Sequence, residues 1–217
     1  MSDIKRQILL EEERDVLQEI MNIGFGSAAA DLAQVIDIYV TLSVPKIKVI
    51  NRASLIEDIK AEIHEYSEVS IVEQNFWSKF KGVALLVFSG NAGKNLLSII
   101  SGEDQDAKAL FESDPIRVLE KETLMEVGNI LVGACVGKVA ELLGDVVSYS
   151  PPRVVVGNLA DYDVSSAGYI PEDIVIVMEA IFHFNVQDVR GYLFIITNNE
   201  SINWLKEAIR AFLKQYE

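Results

Sequence analysis

A chain of 217 residues in which half are hydrophobic and 24% are charged, with no proline-rich or serine-rich tract, has the composition of an ordered globular protein of one large domain or two small ones. Its 19 Lys and Arg against 33 Asp and Glu give a formal charge of −14, which repels nucleic-acid phosphate and anionic lipid and favours basic or mixed-charge partners. One cysteine allows no internal disulfide, the N-terminal residues are broken by charge every few positions, and apolar runs such as Val83–Phe88 are short, so the expectation is a cytoplasmic protein without membrane insertion.

In chain order, Val16, Leu17, Ile20, Met21, Ile23, Leu32, Val35 and Ile36 recur at helical spacing and predict a long helix from about Glu11 to Ile36. Tyr39–Val44 reads as a strand ending near Pro45, and Arg52–Glu65 as a loop or short helix. Ser67–Gln74 and Lys79–Phe88 predict a hairpin, with Phe76, Trp77 and Phe80 at its turn read as core or sheet packing, and Asn91–Ser101 a helix after it. Gly102–Pro115 reads as a hinge. A second long helix is expected from Val118 to Leu143, carrying Cys135 as a reduced, packed thiol, followed by a strand at Arg153–Val156 and a loop or short helix at Asn158–Pro171. Asp173–Phe184 and Asp188–Thr197 predict a second hairpin, and Glu200–Lys214 a final helix.

The two halves repeat one order of elements. Glu19, Asn22 and Gly26 recur as Glu126, Asn129 and Gly133, each 107 residues further on, and Pro45 recurs as Pro152 in the same register. Phe80-Lys-Gly-Val-Ala-Leu-Leu likewise matches Val189-Arg-Gly-Tyr-Leu-Phe-Ile. The expected fold is therefore α+β: a single antiparallel sheet of about six strands with two long helices on one face, in one domain spanning 1–217 and built of repeats at about 10–103 and 117–217.

On a helix, Asp15, Glu19, Asn22 and Gly26 fall on one narrow stripe, and Glu122, Glu126, Asn129 and Gly133 repeat it. A carboxylate can grip a partner's ammonium while a carboxamide one turn on both donates to and accepts from a water molecule, and the glycine removes bulk beside them. A single E-x-x-N on a helix exterior is ordinary. Its recurrence in register with a glycine and a proline, while most surrounding residues differ, marks these positions as constrained within one chain.

The spacing Asp, three residues, Glu, two residues, Asn, 22 residues, Pro resembles the signature of the CheC, CheX and FliY chemotaxis phosphatases. Asp15, Glu19, Asn22 and Pro45 fit it in full; Glu126, Asn129 and Pro152 fit, with Glu122 standing where that family has Asp or Ser. The resemblance, closest to CheC with its two E-x-x-N sites, implies hydrolysis of the aspartyl phosphate on a CheY-type response regulator. It implies Glu19 and Glu126 engaging the regulator's lysine and Asn22 and Asn129 orienting the attacking water. Asp15, Glu122, Gly26 and Gly133 complete the partner-facing stripes. No cofactor of its own is implied, Mg²⁺ being expected in the regulator.

Two other readings stand beside this one. A CheC-like adaptor would bind the phosphorylated regulator, CheD or a flagellar switch component without turnover, with Glu141-Leu-Leu-Gly144 the segment to examine for CheD. A ligand-binding domain with a purely architectural repeat would bury Glu19 and Asn22 and satisfy them internally. Glu62, His64 and Glu65 read as a solvated face rather than a metal site, and no Walker loop or G-x-S-x-G is present.

Overall fold

The computed structural model describes residues 8–36, 39–63, 67–101, 114–159, 162, 174–184, 189–197 and 199–214. Helix α1 (Glu11–Ile36) begins where the Leu10 backbone N–H donates to Glu13 Oε2 at 3.1 Å, a side-chain capping bond of the kind that satisfies an N-terminal orphan donor. Leu17, Ile20, Met21, Phe25 and Ala28 form its buried stripe; full burial of each large one contributes roughly 1.5–3 kcal/mol. Ile23, expected in that stripe, is instead 42% exposed beside Asn22, because its position lies a third of a turn from the buried line.

Eight strand segments follow: β1 (Val40–Leu42), β2 (Lys46–Asn51), β3 (Val69–Trp77), β4 (Gly82–Ser89), β5 (Ser148–Tyr149), β6 (Arg153–Gly157), β7 (Ile174–Phe184) and β8 (Val189–Thr197). They occupy six positions in one antiparallel sheet, since β1 and β2 both pair with β7 at one edge while β5 and β6 both pair with β3 at the other, with β8 and β4 in the centre. Pairing is interrupted at the proline of each edge: β1 ends at Leu42, ahead of Pro45, and pairing resumes in a further strand at Lys46, while on the other edge the strand expected from Arg153 continues pairing begun by β5 before Pro152. At each interruption a serine maintains the ladder: Ser43 Oγ accepts from the Ile181 N–H at 2.9 Å, and Ser150 Oγ from the Asn75 N–H at 3.1 Å.

Helix α2 (Leu55–Glu62), which occupies most of the segment read as loop or short helix, packs Leu55 and Ile59 on the outer face of the sheet. Helices α3 (Ala92–Ser101), α4 (Asp114–Leu142) and α5 (Asn199–Leu213) join α1 on the inner face. Within α4, Val118–Leu142 is long and apolar enough to cross a bilayer, yet it is a core helix here, with Leu124, Val127, Leu131, Val132, Cys135, Val136 and Val139 buried. It ends in a Schellman turn: Gly144, at φ +73°, donates to Glu141 O at 3.0 Å and Asp145 donates to Ala140 O at 2.8 Å.

Of the residues placed at the first hairpin turn, Phe76 and Phe80 are buried with ring centroids 4.9 Å apart, while Trp77 is half-exposed at the end of β3. Most of the expected hinge and of the second variable segment, and His64 with Glu65, lie outside the described residues.

The repeat is legible in the ladders. Leu85 and Phe194 are partners across β4 and β8 and are also counterparts in the repeat, which places a pseudo-two-fold axis between them, perpendicular to the sheet. On either side, buried Glu73 of β3 pairs with Arg153 at 2.8 Å and its counterpart Glu179 of β7 pairs with Lys46 at 3.6 Å. In the helix layer, Asp31 of α1 meets its own counterpart, Lys138 of α4, at 3.4 Å. The axis therefore runs between the two long helices and makes them antiparallel.

Candidate functional site

Each stripe is carried by a helix whose opposite side is anchored. In α1, a Cβ on Gly24 would lie 3.2 Å from Val139 Cγ2 of α4; in α4, a Cβ on Gly128 would lie 2.7 Å from Val72 Cγ1 of β3. These glycines set how closely the helices approach each other and the sheet. Gly26 and Gly133 differ: an added Cβ would meet nothing within 4 Å at either. The anchored faces leave the stripes turned outward.

Asp15, Glu19, Asn22 and Gly26 are all exposed, as are Glu122, Glu126 and Asn129, with Gly133 half-buried. Among the described residues, Glu19, Asn22, Glu122 and Glu126 make no hydrogen bond or ion pair, so their polar groups are free for a partner. That exposure counts against a purely architectural repeat, which would have buried Glu19 and Asn22. Asn22 and Asn129 each lie nine residues, roughly 14 Å at 1.5 Å per residue, before Asp31 and Lys138, where the helices meet. Because the helices are antiparallel, the two stripes lie on opposite sides of the axis.

The stripes are not identical. Asn129 Oδ1 accepts from Gln74 Nε2 of β3 at 2.7 Å, and the same Nε2 donates to Ser150 O at 2.9 Å. The Tyr149 hydroxyl donates to Gly133 O at 3.3 Å; burial first, then the neighbouring Cys135, pushes that phenol up to about 12, so it remains a donor at neutral pH. Neither Gln74 nor Tyr149 stood out in the sequence. The signal that finds them is the pairing register, which aligns Glu73 with Glu179 and hence Gln74 with Ala180, and Tyr149 with Leu42.

Two further titratable groups lie apart from the E-x-x-N side chains, Cys135 in the core and Lys48 on the outer side of the sheet. Burial raises the Cys135 thiol far above its usual range, which leaves it inert rather than nucleophilic. On the outer side of the sheet Lys48 reaches Glu62 at 2.7 Å, Asp58 at 3.1 Å and Glu179 at 3.2 Å. Burial opposes its charge, but these three carboxylates outweigh it and raise the ammonium well above the ordinary lysine value. Glu62 is thus an ion-paired residue rather than part of a solvated face.

The CheC-like family matches this chain twice, over residues 12–49 and 119–156. Each match runs from a long helix through one E-x-x-N to the edge strand beyond its proline. The flagellar motor switch phosphatase FliY of Bacillus subtilis is 28% identical over 170 residues, which are 78% of this chain and 42% of FliY, so the chain spans less than half of that relative's length. The CheY-P phosphatase CheC of the same organism is 23% identical over 207 residues, covering 94% of this chain and 96% of CheC. The crystal structure of Thermotoga maritima FliY has the same fold, with a TM-score of 0.71 at 20% identity over 94% of this chain and 98% of that one.

Proposed function

We propose that this chain, which the CheC-like family matches over residues 12–49 and 119–156, hydrolyses the aspartyl phosphate of a CheY-type response regulator. The observation that carries this reading is the pair of outward E-x-x-N stripes at symmetry-equivalent positions, whose Glu19, Asn22 and Glu126 have no partner among the described residues. Relatives described as CheY-P and flagellar-switch phosphatases support it.

The chemistry asks little of this chain beyond position. Glu19 or Glu126 grips the regulator's active-site lysine by a charge-assisted hydrogen bond, which fixes the approach. One turn on, Asn22 or Asn129 enters the regulator's site and holds a water in line with phosphorus, so the gain is one of orientation rather than of acid–base strength. Neutralisation of the phosphoryl oxygens would come from Mg²⁺ held by the regulator's own residues. Neither glutamate acts as a base, and no nucleophile of this chain is consumed. The reading places the protein in the cytoplasm, where such regulators act.

The test is the decay of a radiolabelled phosphoryl group on a purified CheY-type regulator, alone and with wild-type protein, Asn22→Ala, Asn129→Ala and the double variant. Acceleration by the wild type, reduced in each single variant and absent in the double, is the expected result. Binding of the phosphorylated regulator with an unchanged phosphate lifetime would replace turnover by an adaptor role.

A further inference from the structure

One asymmetry separates the two stripes. Gln74, 1% exposed, sits on the inner face of β3 beneath α4. Its amide orientation is fixed by chemistry, because Ser150 O can only accept and therefore faces Nε2. The second hydrogen of that Nε2 is directed at Asn129, 2.7 Å away, so the Asn129 atom facing inward is the acceptor Oδ1 and the atom turned to a partner is the donor Nδ2. Meanwhile Gln74 Oε1 is buried with no hydrogen-bond partner. An orphaned buried acceptor is disfavoured, so the stability it forgoes calls for a compensating role.

The first half has Ser43 where the second has Ser150, but it lacks the other parts of this arrangement. The position equivalent to Gln74 is Ala180, that of Tyr149 is Leu42, and that of Gly128, whose missing side chain lets α4 lie against Val72, is Met21. Asn22 accordingly has no hydrogen-bond partner among the described residues.

We infer that Gln74 is a positioning residue that holds the Asn129 carboxamide in one orientation, Nδ2 outward, making the second stripe the preorganised one and the two stripes unequal in turnover. The inference rests on the phosphatase reading for its consequence, while the tether itself has an independent readout. Immobilising the carboxamide before docking removes a rotational cost from the step that positions water, so its effect falls on kcat rather than on KM.

The experiment uses Gln74→Met, which keeps the length of the side chain and removes its donors, in two backgrounds assayed on the phosphorylated regulator. With Asn22→Ala only the second stripe works, and Gln74→Met is expected to lower kcat about tenfold with KM unchanged. With Asn129→Ala only the first stripe works, and Gln74→Met is expected to change nothing. Equal losses in both backgrounds would reduce Gln74 to a structural residue, and no loss in the first would overturn the inference. Side-chain ¹⁵N relaxation needs no regulator: the Asn129 amide should be more ordered than that of Asn22 and should lose that order in Gln74→Met. An Asn129 amide as mobile as Asn22 in the wild type would remove the tether. Absence of turnover in both backgrounds would remove the phosphatase reading and with it the unequal turnover, leaving the relaxation comparison to decide the tether.

Discussion

Gly128 of α4 and Val72 of β3 stand so close that a single added methyl group on the glycine would lie 2.7 Å from Val72 Cγ1 and 3.1 Å from its Cβ. That contact lets the second long helix lie low enough on the sheet for Asn129 to reach Gln74. One glycine in α4 thus sets both a packing distance and the attitude of a candidate functional side chain.

The two classes of helical glycine should respond oppositely to alanine. At Gly26, exposed and with nothing within 4 Å of an added Cβ, alanine only improves helix propensity, so Gly26→Ala should stabilise the fold by about 0.5–1 kcal/mol. At Gly128 the same change forces α4 off β3 and should destabilise by about 1–3 kcal/mol, the usual range for overpacking. Urea unfolding of the two variants checks both signs; a stable Gly128→Ala would mean that α4 and β3 can separate at little cost.

Charge reversal on the stripes should act on docking and not on folding. Glu19 and Glu126 are exposed and unpaired among the described residues, so Glu19→Lys with Glu126→Lys should leave the melting temperature within a degree or two while raising KM for the phosphorylated regulator at least tenfold. The same pair of changes should flatten the dependence of association on ionic strength. A KM that does not move would show that the glutamates do not meet the partner.

Much of this architecture is legible in the sequence because it is written twice. The recurrence of Glu, Asn, Gly and Pro 107 residues apart identifies the two long helices and the edges they lead to, and the matching hairpins supply the central strands. The split of each edge strand is harder to see. A proline reads as a stop, and only the ladder shows that pairing resumes at Lys46 after Pro45 and already begins at Ser148 before Pro152, while Ser43 and Ser150 bridge the gap. The stripes are visible as spacing, since helical periodicity puts Glu19 and Asn22 on one line. Gln74 is invisible to that reasoning, because its partner is 55 residues away and nothing local distinguishes a buried glutamine in a strand from a solvent-facing one. Ile23 departs from the expected stripe for a related reason: the apolar period of a helix tells which residues can face the core, not where the core ends.

The outer face of the sheet carries a pH-dependent element that can be isolated by substitution. Glu179 is 1% exposed, and burial pushes its carboxyl above the ordinary value against the opposing pull of Lys48. Glu62, hydrogen-bonded to the same lysine, is held below the ordinary value. The Glu62 contribution is present above the usual carboxylate range and is lost as pH falls through its lowered value; that of Glu179 has the opposite sign, since a raised carboxyl makes the folded state bind its proton more tightly and weakens the fold as pH rises. In Lys48→Met the first contribution shrinks to what Lys46, 3.5 Å from Glu62, still supplies, and the second grows, because among the described residues Glu179 keeps only Lys46, at 3.6 Å, as a counter-charge. The variant should lose about 2 kcal/mol at pH 7, on the low side of the cost of stripping a partner from a buried ion, and the deficit should shrink toward pH 5 as Glu179 takes up a proton. Adding Glu179→Gln should restore most of the loss at pH 7 and abolish the trend. Urea unfolding of both variants and the wild type at pH 5, 6 and 7 measures this, and a deficit that stays constant or widens toward pH 5 would mean that Glu179 is not the group left uncompensated.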